Sequence, residues 1–101
     1  MHRYTTVVSN PATIPAEASV AWIGDRPIDE EPRVIWEALT HEQVTTYAAL
    51  VERVGERLFR RDLASLGAAA DIGFFLPFYR AHARRLIGAL DGAVLRIGAP
   101  A

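Results

Sequence analysis

Apolar side chains return every three or four positions through the middle of the chain. Val44, Tyr47, Val51, Val54 and Leu58 are spaced 3, 4, 3 and 4 apart, which is one face of an α-helix. Glu52, Arg53, Glu56, Arg57 and Arg60 fill the other face, and Glu56 stands four residues before Arg60, a favourable helical pair. After Leu58 the stripe moves to Phe59, Leu63 and Leu66, so the helix either rotates its buried face or bends near Arg60-Arg61-Asp62. Thr40-His41-Glu42-Gln43 matches a capping box, in which a hydroxyl and an amide side chain satisfy free amides at a helix start. The long helix is therefore expected to begin there, and Gly67 to end it.

Two shorter helices flank this one. Asp29-Glu30-Glu31 before Pro32 suits a helix start, because acids favour the positive end of the dipole and proline tolerates the first turn. A short helix is predicted from Pro32 to Leu39, carrying Val34, Ile35, Trp36 and Leu39. Asp71 offers a cap for a further turn, and Pro77 suits the first turn of a last helix running to about Leu90. Its stripe reads Phe75, Tyr79, His82, Leu86 and Leu90, with Asp91-Gly92 as the stop. Ala93 to Ile97 is too short to assign by periodicity and fits either a terminal strand or a continuation.

The first third reads differently. Pro11, Pro15, Pro27 and Pro32, four of the six prolines, keep it from being helical. Arg3 to Val8 is β-branched and aromatic, and Ser19 to Ile23 is an apolar run that stops at the turn signal Gly24-Asp25. The expectation is a mainly α protein, a small helical hairpin or bundle with an extended N-terminal arm and room for one or two short β-strands. Residues 1–101 make a single domain on this reading, with 1–31 the arm and 32–101 the helical core.

Composition changes the picture only at the edges. Half the residues are apolar and 23% charged, the balance of an ordinary globular protein rather than a disordered one. A net charge of −1 gives no general pull toward nucleic acid or membrane. There is no cysteine, hence no disulfide framework or thiolate chemistry. All eleven basic residues are arginine and seventeen residues are alanine, the mark of GC-rich coding as in a high-GC bacterium or its phages. The first residues lack the apolar run of an export signal, so a cytoplasmic location is the expectation. Charge is split along the chain. Residues 1–58 hold five arginines and nine acids, net −4, and residues 59–101 hold six arginines and three acids, net +3. Pairing of the two halves within one molecule is the simplest account.

Catalytic signals are weak. His41-Glu42 opens like a zinc-protease helix motif, but position 45 is threonine where a second histidine is needed, so both are expected in the first helical turn beside the cap. The glycines are scattered and form no phosphate loop, and no serine sits in a nucleophile elbow. His82 is the one candidate base, and on the last helix's stripe it suits a core or interface position better. No catalytic residue, metal ligand or cofactor is assigned.

Binding signals are stronger. Ile72-Gly73-Phe74-Phe75-Leu76-Pro77-Phe78-Tyr79 places four large rings at 74, 75, 78 and 79, which cannot all face one core from one helix. Part of that surface needs a second partner to cover it. Arg80, Arg84 and Arg85 adjoin it, and Trp22 and Trp36 flank the acidic segment Asp25 to Glu31. Tryptophan and arginine are favoured at interface hot spots. The sequence thus points to a small non-catalytic protein-binding module, an accessory subunit, inhibitor or phage structural protein. Its contacts would be Trp22, Trp36, Phe74, Phe75, Phe78, Tyr79, Arg80, Arg84 and Arg85, and its partner another protein or a second copy. Two weaker alternatives stand beside it. One is a DNA-binding regulator using Arg60, Arg61, Arg80, Arg84 and Arg85. The other is a small enzyme built on His82, Tyr79 and an acid from the N-terminal arm. Membrane insertion is disfavoured, since the apolar stretch from Leu63 is short and broken by Gly67, Gly73 and Pro77.

Overall fold

The long apolar stripe forms a single helix. The computed structural model describes residues 4–6, 14–67, 71–90 and 94–98. Its six elements are β1 (Tyr4–Thr6), β2 (Ser19–Trp22), α1 (Glu30–Thr40), α2 (Tyr47–Leu66), α3 (Ile72–Gly88) and β3 (Leu95–Gly98). The protein is mainly α, with a small sheet at the side of the helices.

α2 buries Tyr47, Leu50, Val51, Val54, Gly55, Leu58 and Phe59. It continues unbroken through Arg60-Arg61-Asp62, and beyond Leu58 the apolar face rotates, with Phe59 buried and Leu63 half-buried. Gly67 closes the helix at φ 99°, a left-handed region that favours glycine, and its amide donates to the Leu63 carbonyl.

The start of α2 differs from the capping-box expectation. Thr40 is the last residue of α1, and its hydroxyl donates to the Trp36 carbonyl at 2.7 Å. His41 caps the C-terminus of α1 rather than opening α2, and Gln43 turns the chain at φ 55°. The cap is Thr46, whose hydroxyl accepts from the Ala49 amide at 3.3 Å. Tertiary contacts decide between the two threonines. The Ala18 and Ala16 carbonyls of the arm accept from the Tyr47 and Ala48 amides at 2.8 and 2.9 Å. They satisfy two of the donors that a helix start leaves free. The Val20 amide donates to the Thr45 carbonyl, and Ser19 bridges to Thr46, so the arm fixes where α2 begins.

α1 starts at Glu30, two residues before Pro32, and buries Ile35, Ala38 and Leu39. α3 starts at Ile72, a turn before the expected Pro77. Its cap is Asp71, whose carboxylate accepts from the Gly73 amide at 2.9 Å. Pro77 therefore lies inside the helix, where it removes the amide that would reach the Gly73 carbonyl. Gly73 and Pro77 are both on the exposed side, where that carbonyl can face solvent. The expected stop at Asp91-Gly92 lies outside the described residues.

The arm is tied down. β1 and β2 both pair antiparallel with β3, giving the order β1-β3-β2. Thr5 and Val20 both stand opposite Ile97. The C-terminal run is thus a strand, and the central one, so the sheet has one strand more than the two N-terminal runs supply.

Fourteen buried residues form one cluster. Ala18 and Val20 come from the arm, Ile35, Ala38 and Leu39 from α1, and Leu95 and Ile97 from β3. From α2 the cluster takes residues between Tyr47 and Leu58, and from α3 only Ala83 and Ile87. Tyr79 of α3 packs against this cluster, and the ends of α2 and α3 nearest their connection, roughly residues 60–66 and 72–78, contribute no buried residue to it.

Candidate functional site

α2 and α3 form an antiparallel hairpin with a close approach at Gly55. A Cβ built there would stand 3.4 Å from the backbone of Tyr79 and Arg80, so glycine lets the two helices touch backbone to side. On one flank Arg80 grips the Glu52 carboxylate through Nε at 2.6 Å and Nη2 at 3.0 Å. Toward the open end Phe59 packs edge-on against Tyr79, ring centres 5.6 Å apart, and against Phe75 at 6.2 Å. The Tyr79 hydroxyl donates to the Asp62 carboxylate at 2.9 Å.

These contacts use one side of α3. Phe74 and Phe78 point away from it and are 63% and 64% exposed. They touch each other, ring centres 6.0 Å apart, and Phe74 stands edge-on to Phe75 at 5.1 Å. Ile72 and Leu66, 41% and 37% exposed, extend the apolar surface at the adjoining ends of α3 and α2. Between the two helices an open groove of about 510 Å³ is lined by Leu66, Phe74, Phe75 and Phe78, with Asp62, Tyr79 and His82 along one edge. A contiguous apolar patch of this kind on a small protein marks a contact surface.

Asp62 and Tyr79 shift each other's titration. The hydrogen bond from Tyr79 holds the Asp62 carboxyl below its ordinary pKa, with Arg61 adding to the effect. Burial, then Asp62, pushes the Tyr79 phenol above its ordinary range, so it stays a neutral donor. Arg80 likewise holds the Glu52 carboxyl low through its hydrogen bonds. Carboxylates with lowered folded-state pKa values stabilise the fold above their unfolded pKa, and that contribution disappears as pH falls through the folded value. The urea midpoint is therefore expected to be flat above about pH 5 and to decline below about pH 4. In an Asp62→Asn/Glu52→Gln variant the decline should be shallower, and an unchanged slope would assign acid sensitivity to other groups. Both acids are partly exposed, so the effect is modest.

Of the nine residues expected to contact a partner, Phe74, Phe75, Phe78 and Tyr79 meet in this groove. Arg85 is exposed on the outer side of α3, its Nη2 3.3 Å from His82 Nδ1. The others go elsewhere. Arg80 is engaged by Glu52. Arg84 lines a separate groove of about 400 Å³ with Tyr47 and Val51, and there burial raises the Tyr47 pKa while Arg84 opposes it. Trp22 is partly buried in β2, and its indole N–H donates to the Asp25 carbonyl at 3.2 Å. Trp36 stacks edge-on with His41 at 5.1 Å and under the Arg26 guanidinium at 5.6 Å. Both tryptophans thus hold the arm and α1.

The arginines of the DNA-binding alternative are divided among faces. Arg60 and Arg61 line a cleft of about 520 Å³ between α1 and α2, Arg80 and Arg84 line the second groove, and Arg85 faces a third way. In the first cleft Glu42 pairs with Arg53 and Arg57, and Glu37 with Arg57 at 2.9 Å. For the enzyme alternative, the acid that reaches Tyr79 is Asp62 of α2 rather than one from the arm. Among the described residues no three acidic, histidine or cysteine side chains gather as a metal site, and no helix is long and apolar enough to cross a membrane.

Sequence reading took Ile72 into the aromatic run 72–79 but passed over Leu66 and Asp62 as site residues. Leu66 stood on the shifted apolar stripe of the long helix, and nothing in spacing shows that it is left exposed. Asp62 stands 17 positions from Tyr79, and only the hairpin joins them.

This site and fold define a small mainly α protein with an aromatic-tipped helical hairpin. Comparison with protein-family models, curated proteins and solved structures finds no match to the chain.

Proposed function

We propose that the chain is a small non-catalytic protein-binding module acting through the open end of the α2–α3 hairpin. The observation that carries this reading is the exposure of Phe74 and Phe78 beside Leu66 and Ile72, where the core does not reach. Each phenylalanine brings a large apolar area that its own fold leaves uncovered. Interface energy concentrates in a few such rings, with polar groups at the rim excluding water. Asp62, Tyr79 and His82 supply that rim.

The test compares the chain with a Phe74→Asp/Phe78→Asp variant. Both are immobilised, exposed to native lysate with and without nuclease, and read by mass spectrometry, with sedimentation reporting self-association. A stoichiometric protein partner, whether another protein or the chain itself, should survive nuclease and be lost from the variant. The variant's circular dichroism and thermal midpoint should match wild type, because the substituted rings lie outside the core. Retention of every partner by the variant overturns the proposal. So does loss of all partners on nuclease treatment, which favours nucleic acid.

A further inference from the structure

We infer that the occupant of this surface is a second copy of the chain, packed antiparallel along the outer face of α3. The inference rests on the binding-module reading and adds the partner and its register.

The outer face of α3 reads Phe74, Phe78, Ala81 and Arg85, spaced 4, 3 and 4 apart, one continuous stripe opposite the core-facing Ala83 and Ile87. The stripe differs in character from one end to the other. Its N-terminal half carries two exposed rings and its C-terminal half an exposed guanidinium, with alanine between them. A guanidinium over the face of an aromatic ring is an attractive pair. An antiparallel second copy sets the ring-bearing half of each stripe against the arginine-bearing half of the other. With the two-fold axis between positions 81 and 82, Phe78 lies against Arg85 of the second copy and Phe74 against its Ala89. Both contacts repeat across the axis, as an isologous interface requires. Ala81 at the axis lets the helices approach closely.

Area selects this lengthwise register over contact at the tips. A phenylalanine presents on the order of 200 Å². Phe74 and Phe78, about two-thirds exposed, thus offer roughly 500 Å² summed over two copies. A specific interface needs at least about 1,200 Å². The rings cannot supply that alone, whereas pairing along the 17 residues of α3, about 25 Å, adds the flanking side chains.

The chain contains no cysteine, so single introduced cysteines report proximity cleanly. The experiment combines sedimentation velocity over a concentration series with oxidative cross-linking of two variants, Ala81→Cys and Phe74→Cys. Wild type should form a dimer. Phe78→Asp and, independently, Arg85→Glu should weaken it about tenfold or more. Arg85 is exposed, so the second substitution keeps the test valid if the first perturbs folding. Ala81→Cys should cross-link to dimer and Phe74→Cys should not. A chain that stays monomeric overturns the inference, and if it still captures a different protein through Phe74 and Phe78 the binding-module reading survives. A dimer indifferent to both substitutions, or one cross-linked by Phe74→Cys and not by Ala81→Cys, also overturns it.

Discussion

Gly55→Leu is expected to destabilise the protein by on the order of 3 kcal/mol and to separate α3 from α2. Gly55 is buried between the helices, and its Cβ position already stands 3.4 Å from three backbone atoms of Tyr79 and Arg80. Backbone cannot rotate aside as the end of a flexible side chain can. A larger side chain forces the helices apart, and the loss extends to every contact along the seam. The Arg80–Glu52 pair, the Phe59–Tyr79 packing and the Tyr79–Asp62 hydrogen bond all depend on the same separation. Gly55→Ala is the control. Its single carbon fits at the edge of ordinary contact, and alanine is about 1 kcal/mol better than glycine within a helix. It should stay within about 1 kcal/mol of wild type. Urea unfolding of both variants, followed by circular dichroism, checks this, and a leucine variant as stable as the alanine one would show that the seam yields.

Leu95→Ala is expected to cost about 2–5 kcal/mol, a large fraction of the roughly 5–15 kcal/mol that stabilises a typical domain. Leu95 is fully buried in the core, at the start of the central strand. Truncating it leaves a cavity in the buried cluster to which it belongs. It also weakens the central strand, with which both β1 and β2 pair. Unfolding should remain one cooperative transition at a lower urea midpoint. An exposed comparison, Phe74→Ala, should change the midpoint little, since Phe74 is 63% exposed and lies outside the buried cluster. If Leu95→Ala matched Phe74→Ala, the terminal strand would be an ornament rather than part of the core.

The helices were legible because their information is local. The stripe from Tyr47 to Leu58, the stop at Gly67 and the cap at Asp71 need only neighbours within a turn or two. The arm's strands were legible for the same reason, from β-branched and aromatic runs between prolines. Thr40 misled because a capping box is a statement about four residues, while the true start of α2 is set by carbonyls of Ala16 and Ala18, some thirty positions away. The aromatic excess at 74, 75, 78 and 79 was visible as a count, but which rings remain outside was not. Phe75 and Tyr79 are covered by Phe59 and Asp62, and that follows from the hairpin's register. Arg80, Trp22 and Trp36 also make contacts within the chain, to Glu52, Asp25 and His41, which the sequence could not show because an arginine or an indole gives no sign of who stands opposite.

By itself, then, the sequence determined the mainly α class, the long helix, an extended arm and a surplus of aromatic surface near residue 75. Those properties follow from periodicity and composition, which each segment carries alone. Only the tertiary structure decided that the C-terminal run is the central strand, that α2 begins at Thr46, and that Phe74 and Phe78 are the rings left exposed. Strand pairing, capping by distant carbonyls and coverage by a facing helix are relations between segments far apart in the chain, and folding alone brings those segments into contact.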